Sequence, residues 1–433
     1  MSGETEAIAF LDSRIEHYAE SLSSRIELLK TGRGETLTTV LRNQIVRARS
    51  RRAEIASEAI EAGDDEERLL LCRRQHRLMT VLDEIHHLLS WSGEAVGRQD
   101  IPVGLLHLVD LTANQVIGEN IDALIFLDSR NMYACIPEPH VITPDLSLPS
   151  GEGADKQDAR GEEKLVIFLL PAQSPCNMLL SPIIAHEAAH TVVDVATGQE
   201  DDSLLSKVLE QVDYTSLAAM FDTTPNMQKA LYAAHHWLQE LLCDAVATAL
   251  TGPSHLLALA AFLPQLTTAG SQTHPPTSYR ISACLRILDG LGWIPFLRSK
   301  APDMLRWFEA MAREIPDEAD PIVTIRKIAD SVSPQIDSVA MEFTEGRELL
   351  YSDNLQAQLT SAVADIDAGI PPVECGSTPV DPWVIVLAGW TYVLAQDKPF
   401  TDTLAHAPTE VDLNAMLLKA VELSSIKRLW DQS

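Results

Sequence analysis

A chain of 433 residues can bury a large core and divide into two or three domains. At 46% hydrophobic and 22% charged, its composition is that of a globular protein. A formal charge of −29, with Lys and Arg scattered, excludes the basic face that a general nucleic-acid binder or an anionic-membrane ligand needs.

The first residues, "MSGETEAIAFLDSRIEHY", lack a basic segment followed by an apolar one, so no signal peptide is expected. The helical pattern begins at once. Ile8, Leu11, Ile15, Tyr18, Leu22, Ile26 and Leu29 step by threes and fours, which makes one apolar stripe. "KTGRGET" breaks it, and further helices are expected over 36–61 and 65–90 with "EAGDDEE" between them. Residues 1–95 thus read as a helical hairpin or small bundle, with a partner-binding coiled coil as the alternative.

The texture changes after "WSGEAVGRQDIP". The segments "IDALIFL" (121–127), "NMYACI" (131–136), "HVIT" (140–143) and "LVIFLL" (165–170) are β-branched or aromatic and bounded by turn residues, so they are expected as strands. The polar, Gly-rich stretch 147–164 reads as a loop. From about 178 onward the pattern is helical. The tail, 296–433, is expected to be helical with breaks at "EIPDEADP" and "GIPPVECGSTPVDP".

The longest apolar runs, "SHLLALAAFL" and "PWVIVLAGWTYVLA", are shorter than the ~20 residues that span a bilayer. The six cysteines (Cys72, Cys135, Cys176, Cys243, Cys284 and Cys375) are dispersed without a CxxC pair, as in reduced proteins. A cytoplasmic protein without membrane insertion is therefore expected.

Three stretches carry chemistry. In "AHEAAHTVVD" (185–194), His186 and His190 lie one helical turn apart, so both imidazoles can bind one cation. Glu187 follows the first of them and has the place of a general base. The plain alternative is a helix that happens to carry two histidines. In "HHWLQELLCDAVATAL" (235–250), Glu240 and Asp244 share one face of an otherwise apolar helix, where unpaired carboxylates are costly. Glu240 as a third ligand, with Asp244 accepting from a ligand histidine, would give both a partner. His236 is the rival ligand, and His235, one step off that face, is expected to be structural or solvated. In "THPPTSYRISACLRIL" (273–288), a rigid His-Pro turn leads into a helix that Thr277 or Ser278 can cap. His274 and Arg280 flank that helix start, and His274 is a candidate partner for an oxyanion.

In this order, "HEAAH", "ELLCD" and "THPPTSYRI" resemble the gluzincin metallopeptidases of the HtpX and CAAX prenyl-protease type. Upstream, "NMYACIPEPHVITPDL" is similar to the segment that lines the cleft of that family as an edge strand. The resemblance covers about 120–290. It implies a zinc ion held by His186, His190 and Glu240, with Glu187 as base, Asp244 behind the ligands, and His274 and Arg280 near the transition state. Many members of the family carry transmembrane helices and this chain has no such segment, so the substrate does not carry over.

The resulting expectation is an α+β, predominantly α chain. A zincin-like catalytic domain (96–295) with a small sheet lies between helical regions at 1–95 and 296–433. One Zn2+ per chain would serve hydrolysis of a peptide or protein, and a regulatory partner could use the helical flanks. The alternatives are a binding or scaffold protein on the same fold and a zinc hydrolase of non-peptide substrates. Cys375, beside a glycine, could plug the metal in a latent form, against the usual reading of a loop cysteine.

Overall fold

The computed structural model describes residues 3–27, 35–61, 65–97, 101–118, 121–128, 133–137, 164–171, 177–193, 203–210, 224–263, 273–313, 320–396, 403, 406 and 410–432. They are mostly helical with a small sheet, an α+β chain dominated by helix. Two compact units emerge. One comprises Met1–Asp100, Glu119–Met132 and Ile136–Gln173; the other comprises Ile101–Gly118, Tyr133–Cys135 and Ser174–Ser433. The sequence break at 296 falls inside the second unit.

In the first unit, α1 (Gly3–Glu27), α2 (Glu35–Glu61) and α3 (Asp65–Gly97) pack against one another. Ile15, Leu22 and Ile26 of the apolar stripe are buried with Leu41, Ile45 and Ile55 of α2 and Leu71, Leu78 and Leu82 of α3. Leu11 and Tyr18 are half-buried, and Leu29 lies outside the described residues. Helix α3 runs on to Gly97, through a stretch whose small residues suggested a break.

The three-stranded sheet has the order β1-β3-β2. Strands β1 (Ile121–Asp128) and β3 (Lys164–Pro171) of this unit pair in parallel, Ile121 opposite Lys164 and Asp128 opposite Pro171. Strand β2 (Ala134–Pro137) spans the boundary between the units. The segments 138–143 and 147–163, expected as a cleft strand and a loop, lie outside the described residues.

The second unit is helical. Helix α4 (Val103–Val116) precedes the sheet. A short 3-10 turn, Met178–Leu180, leads into α5 (Pro182–Val193), and α6 (Leu204–Glu210) follows. Helix α7 (Thr224–Thr251) is the axis of the unit: α5, α6, α8 (Pro253–Phe262), α9 (Thr277–Gly290) and, past α10 (Trp293–Lys300) and α11 (Pro302–Arg313), α12 (Asp320–Thr344) all pack on it. From Ala233 to Leu250 nearly all of its residues are buried, including the Glu240 and Asp244 face. Helix α13 (Asp353–Asp367) is followed by a hairpin of β4 (Glu374–Cys375) and β5 (Thr378–Pro379) at the expected break. Helices α14 (Pro382–Leu394) and α15 (Val411–Gln432) complete the chain. No described helix is long and apolar enough to cross a membrane.

These last helices hold the entry to α5. The Trp390 indole N–H donates to Leu179 O at 3.0 Å, and Met178 N–H donates to Asn414 Oδ1 at 2.7 Å. Helix α4 packs on both α5 and α15. At its crossing with α15, a Cβ on Gly104 would meet the Leu418 carbonyl oxygen at 2.1 Å, a backbone atom that cannot swing aside. Gly104→Ala is therefore expected to cost at least ~1–3 kcal/mol, in the range of overpacked cores, despite its better helix propensity. Chemical denaturation of the two proteins measures this; equal midpoints would show that the crossing is loose.

Candidate metal centre

Local sequence explains how each site element forms. Asn177 starts the turn before α5 by accepting from Leu180 N–H, and Pro182 opens the helix where its missing N–H is harmless. Ile183, Ile184, Ala185, Ala188 and Ala189 are buried, leaving His186 and His190 on one face. On α7, Glu240 and Asp244 lie one turn apart on the face that meets α5. The expected side-chain cap of α9 is not made: Pro276 is the N-cap, and its carbonyl accepts from Tyr279 and Arg280 N–H. Thr277 and Ser278 instead fall within the first turn, with Arg280 closing it.

Four helices thus converge. His186 Nε2 lies 3.5 Å from Glu240 Oε2, and His190 Nε2 lies 3.6 Å from Glu240 Oε1. Behind them Asp244 is fully buried. Its Oδ2 accepts from Arg280 Nε at 2.7 Å and its Oδ1 from Arg280 Nη2 at 2.8 Å, a bidentate pair. His186 Nδ1 stands 2.9 Å from the same Oδ1, and His255 Nε2 of α8 is 3.1 Å from it. Arg280 also reaches Glu240 Oε2 at 3.3 Å.

Exposure grades across the site. The Asp244 and His255 side chains are 0% exposed, Glu240 11%, His190 31% and His274 63%. The centre is therefore sealed behind Asp244 and opens to solvent past His190 and His274.

The charges follow from this packing. Burial works to lower the His186 imidazole, but the adjacent Asp244 carboxylate prevails and raises it to about 10. Burial and the charge on His186 lower His190 to about 4. Burial opposes ionisation of Glu240 and Asp244; the His186 hydrogen bond and Arg280 bring Glu240 down to about 2, and Arg280 and His186 hold Asp244 well below the usual carboxylate range. Burial lifts Glu187 to about 7, against the pull of the His186 and Arg280 charges.

The donors can hold a metal ion. One atom each of His186, His190 and Glu240 lies within 4.8 Å of the others. The gaps across Glu240 are 3.5 Å to His186 and 3.6 Å to His190, each to a different carboxylate oxygen. His186, Asp244 and His255 form a second such group. Here His255 Nε2 hydrogen-bonds Asp244 Oδ1 at 3.1 Å, and His186 Nδ1 lies 2.9 Å from the same oxygen at ion-pair range, a placement that can hold a ligand histidine in position. These residues can hold a metal ion, which would take the place of the proton on His186 Nε2.

Of the residues expected from the sequence, His186, Glu187, His190, Glu240, Asp244 and Arg280 come together here. His274 lies at the rim, its Nε2 3.8 Å from Glu240 Oε1. Arg280 is buried against Asp244 and Glu240, so it holds the carboxylates in place. His236 pairs with Gln239 at 3.1 Å and belongs to neither metal-capable group; His235, half-buried, is its ring neighbour. Cys375 lies in the β4–β5 hairpin, outside both groups. Sequence reasoning missed His255, the single histidine in the apolar run "SHLLALAAFL". No family model, curated protein or solved structure matches the chain.

Glu240→Ala is expected to strip the bound metal and His236→Ala to leave it. Metal content by mass spectrometry after dialysis distinguishes them; the reverse result would move the third ligand to His236.

Proposed function

We propose that the chain is a zinc-dependent peptidase, with a zincin-like core in which α5 and α7 supply the metal ligands. The supporting observation is the convergence of His186, His190 and Glu240 with Glu187 beside the first of them. Zinc as the metal follows from the two imidazoles and one carboxylate with an open side towards solvent. The peptide bond as target follows from the resemblance of the three ordered motifs to gluzincins.

When bound at His186, His190 and Glu240, zinc supplies a Lewis acid that polarises a carbonyl and acidifies water. Glu187 takes the proton of the attacking water and passes it to the leaving amine. Its affinity for a proton near neutral pH suits both directions of that transfer. Asp244 fixes His186 through Nδ1, and Arg280 neutralises Asp244, so the ligand face keeps its geometry while charge develops in front of it. At the rim, Thr273 Oγ1 is 2.9 Å from His274 Nδ1. A hydroxyl donating there leaves the ring proton on Nε2, the atom turned towards Glu240. That N–H is the donor for an oxyanion, on a backbone stiffened by Pro275 and Pro276.

Glu187→Gln is expected to retain zinc and lose ~10²–10⁴-fold in chelator-sensitive peptide cleavage. Cleavage and metal content measured on the same preparations decide this. Wild-type turnover in the variant removes Glu187 from the chemistry, and zinc without any cleavage by the wild type identifies a binding protein instead.

His274→Phe is expected to keep fold and zinc and to lower kcat by ~10²–10³-fold with little change in KM, as for a donor that acts in the transition state. A lower melting temperature with unchanged kcat would make His274 a turn residue.

A further inference from the structure

We propose that His255 is a positioning residue of the metal centre: from α8 it pins the Asp244 carboxylate that orients the ligand His186. This rests on the metal-binding part of the reading above and is independent of whether the bound metal cleaves peptides.

Placement comes first. Helix α7 ends at Thr251, and Gly252, at φ +60°, turns the chain so that Pro253 can open α8. A side chain at Gly252 would be strained by that φ and would meet Leu349 and the Trp293 indole. The corner folds α8 back along α7, so His255 returns to Asp244, eleven residues earlier.

The choice of residue is the second point. Leu256, Leu257, Ala258, Leu259 and Ala260 are all buried, and His255 is fully buried among them. A leucine would fill this space without a polar atom to satisfy; an imidazole is costly here unless it is bonded. Among the described residues its Nδ1 has no hydrogen-bond partner, and its hydrogen bonding is directed to Asp244 through Nε2.

Geometry supplies the function. The Asp244 oxygen is an acceptor only, so His255 Nε2 carries the hydrogen. The same Oδ1 stands 2.9 Å from His186 Nδ1. The two rings are stacked, with centroids 5.9 Å apart and planes within 10°. His186 therefore meets both the oxygen and the plate beside it, and rotation about its ring axis would break both contacts. Arg280 ties Asp244 to α9; His255 ties it to α8 as well, so the carboxylate is fixed from two helices other than its own. The consequence is that His186 Nε2 stays turned towards Glu240.

The test is the zinc dissociation constant of the full chain, by competition with a chromophoric chelator, and the visible spectrum of the cobalt(II) form. Losing an outer partner of a metal ligand lowers affinity ~10–100-fold. His255→Phe and His255→Asn are expected to weaken zinc binding by that much and to alter the cobalt spectrum. His255→Gln, whose amide N–H can occupy the place of Nε2, is expected to restore both. The Gln and Asn variants carry similar polar groups into the same apolar site, so their difference reads reach to Asp244 and not stability. If all three bind zinc like the wild type, His255 only fills space and the proposal falls while the metal centre stands. If Gln and Asn weaken binding equally, the donor at Nε2 is not the cause and the proposal also falls. If the wild type itself binds neither zinc nor cobalt, the metal-binding reading falls and takes this one with it. A wild type that binds zinc but cleaves no peptide removes only the peptidase.

Discussion

The second unit depends on a buried negative charge. Asp244 lies in the C-terminal third of α7 with no access to solvent, where an unpaired carboxylate would be strongly unfavourable. It is tolerable because three other helices bring partners to it: Arg280 from α9, His186 from α5 and His255 from α8. Each partner is itself buried and polar, so none can be withdrawn without stranding the rest. A set of this kind adds less stability than a well-packed apolar cluster of similar volume, yet breaking it by removing one partner is costly. What it does supply is register. The helices can shift along one another only by breaking charge-assisted hydrogen bonds, so the apolar packing around Trp237, Leu241 and Leu242 is held to one arrangement.

That register is what makes the exposed half of the site possible. Glu240 is one turn from Asp244 and His190 one turn from His186, so aligning the inner pair aligns the outer pair. His186 Nδ1 lies 2.9 Å from Asp244 Oδ1; towards solvent, Glu240 stands 3.5 Å from His186 through Oε2 and 3.6 Å from His190 through Oε1. One helical repeat thus separates a close contact from the wider ones that face solvent. The gradient of exposure from Asp244 to His274 follows from the same repeat.

Legibility in the sequence follows interaction range. His186 with His190 and Glu240 with Asp244 are i,i+4 pairs in apolar helices, so face sharing and the cost of burial were both visible without a structure. Strands β1 and β3 were visible for a similar reason, as short β-branched runs, but their parallel pairing and the order β1-β3-β2 were not, because strand order is set by contacts between distant residues. The long-range contacts explain the other omissions. Arg280 stood six residues from His274 and was read with it, whereas the fold aims its guanidinium across to α7. His255 was hidden because one histidine in an apolar run has no local partner to reveal its purpose. The missing side-chain cap on α9 shows a local rule giving way: with Pro276 at the cap position, Thr277 and Ser278 are already inside the helix.

The charge balance connects the buried network to the candidate base. Without a metal, two ionised carboxylates, Asp244 and Glu240, are matched by the Arg280 guanidinium and by protonated His186. The site is then neutral, and burial keeps Glu187 lifted to about 7 even though the His186 and Arg280 charges favour its ionisation. A divalent ion that displaces the proton of His186 adds two charges and removes one, so the same site becomes positive by one. An ionised Glu187 restores neutrality, and the nearby cation favours that anion. Filling the centre and generating the base would therefore be a single electrostatic event, and the base would be in its proton-accepting form when the centre is filled. The linkage runs through Arg280. Because its charge is shared between Asp244 and Glu240, the added positive charge of a filled centre would be left largely for Glu187 to balance.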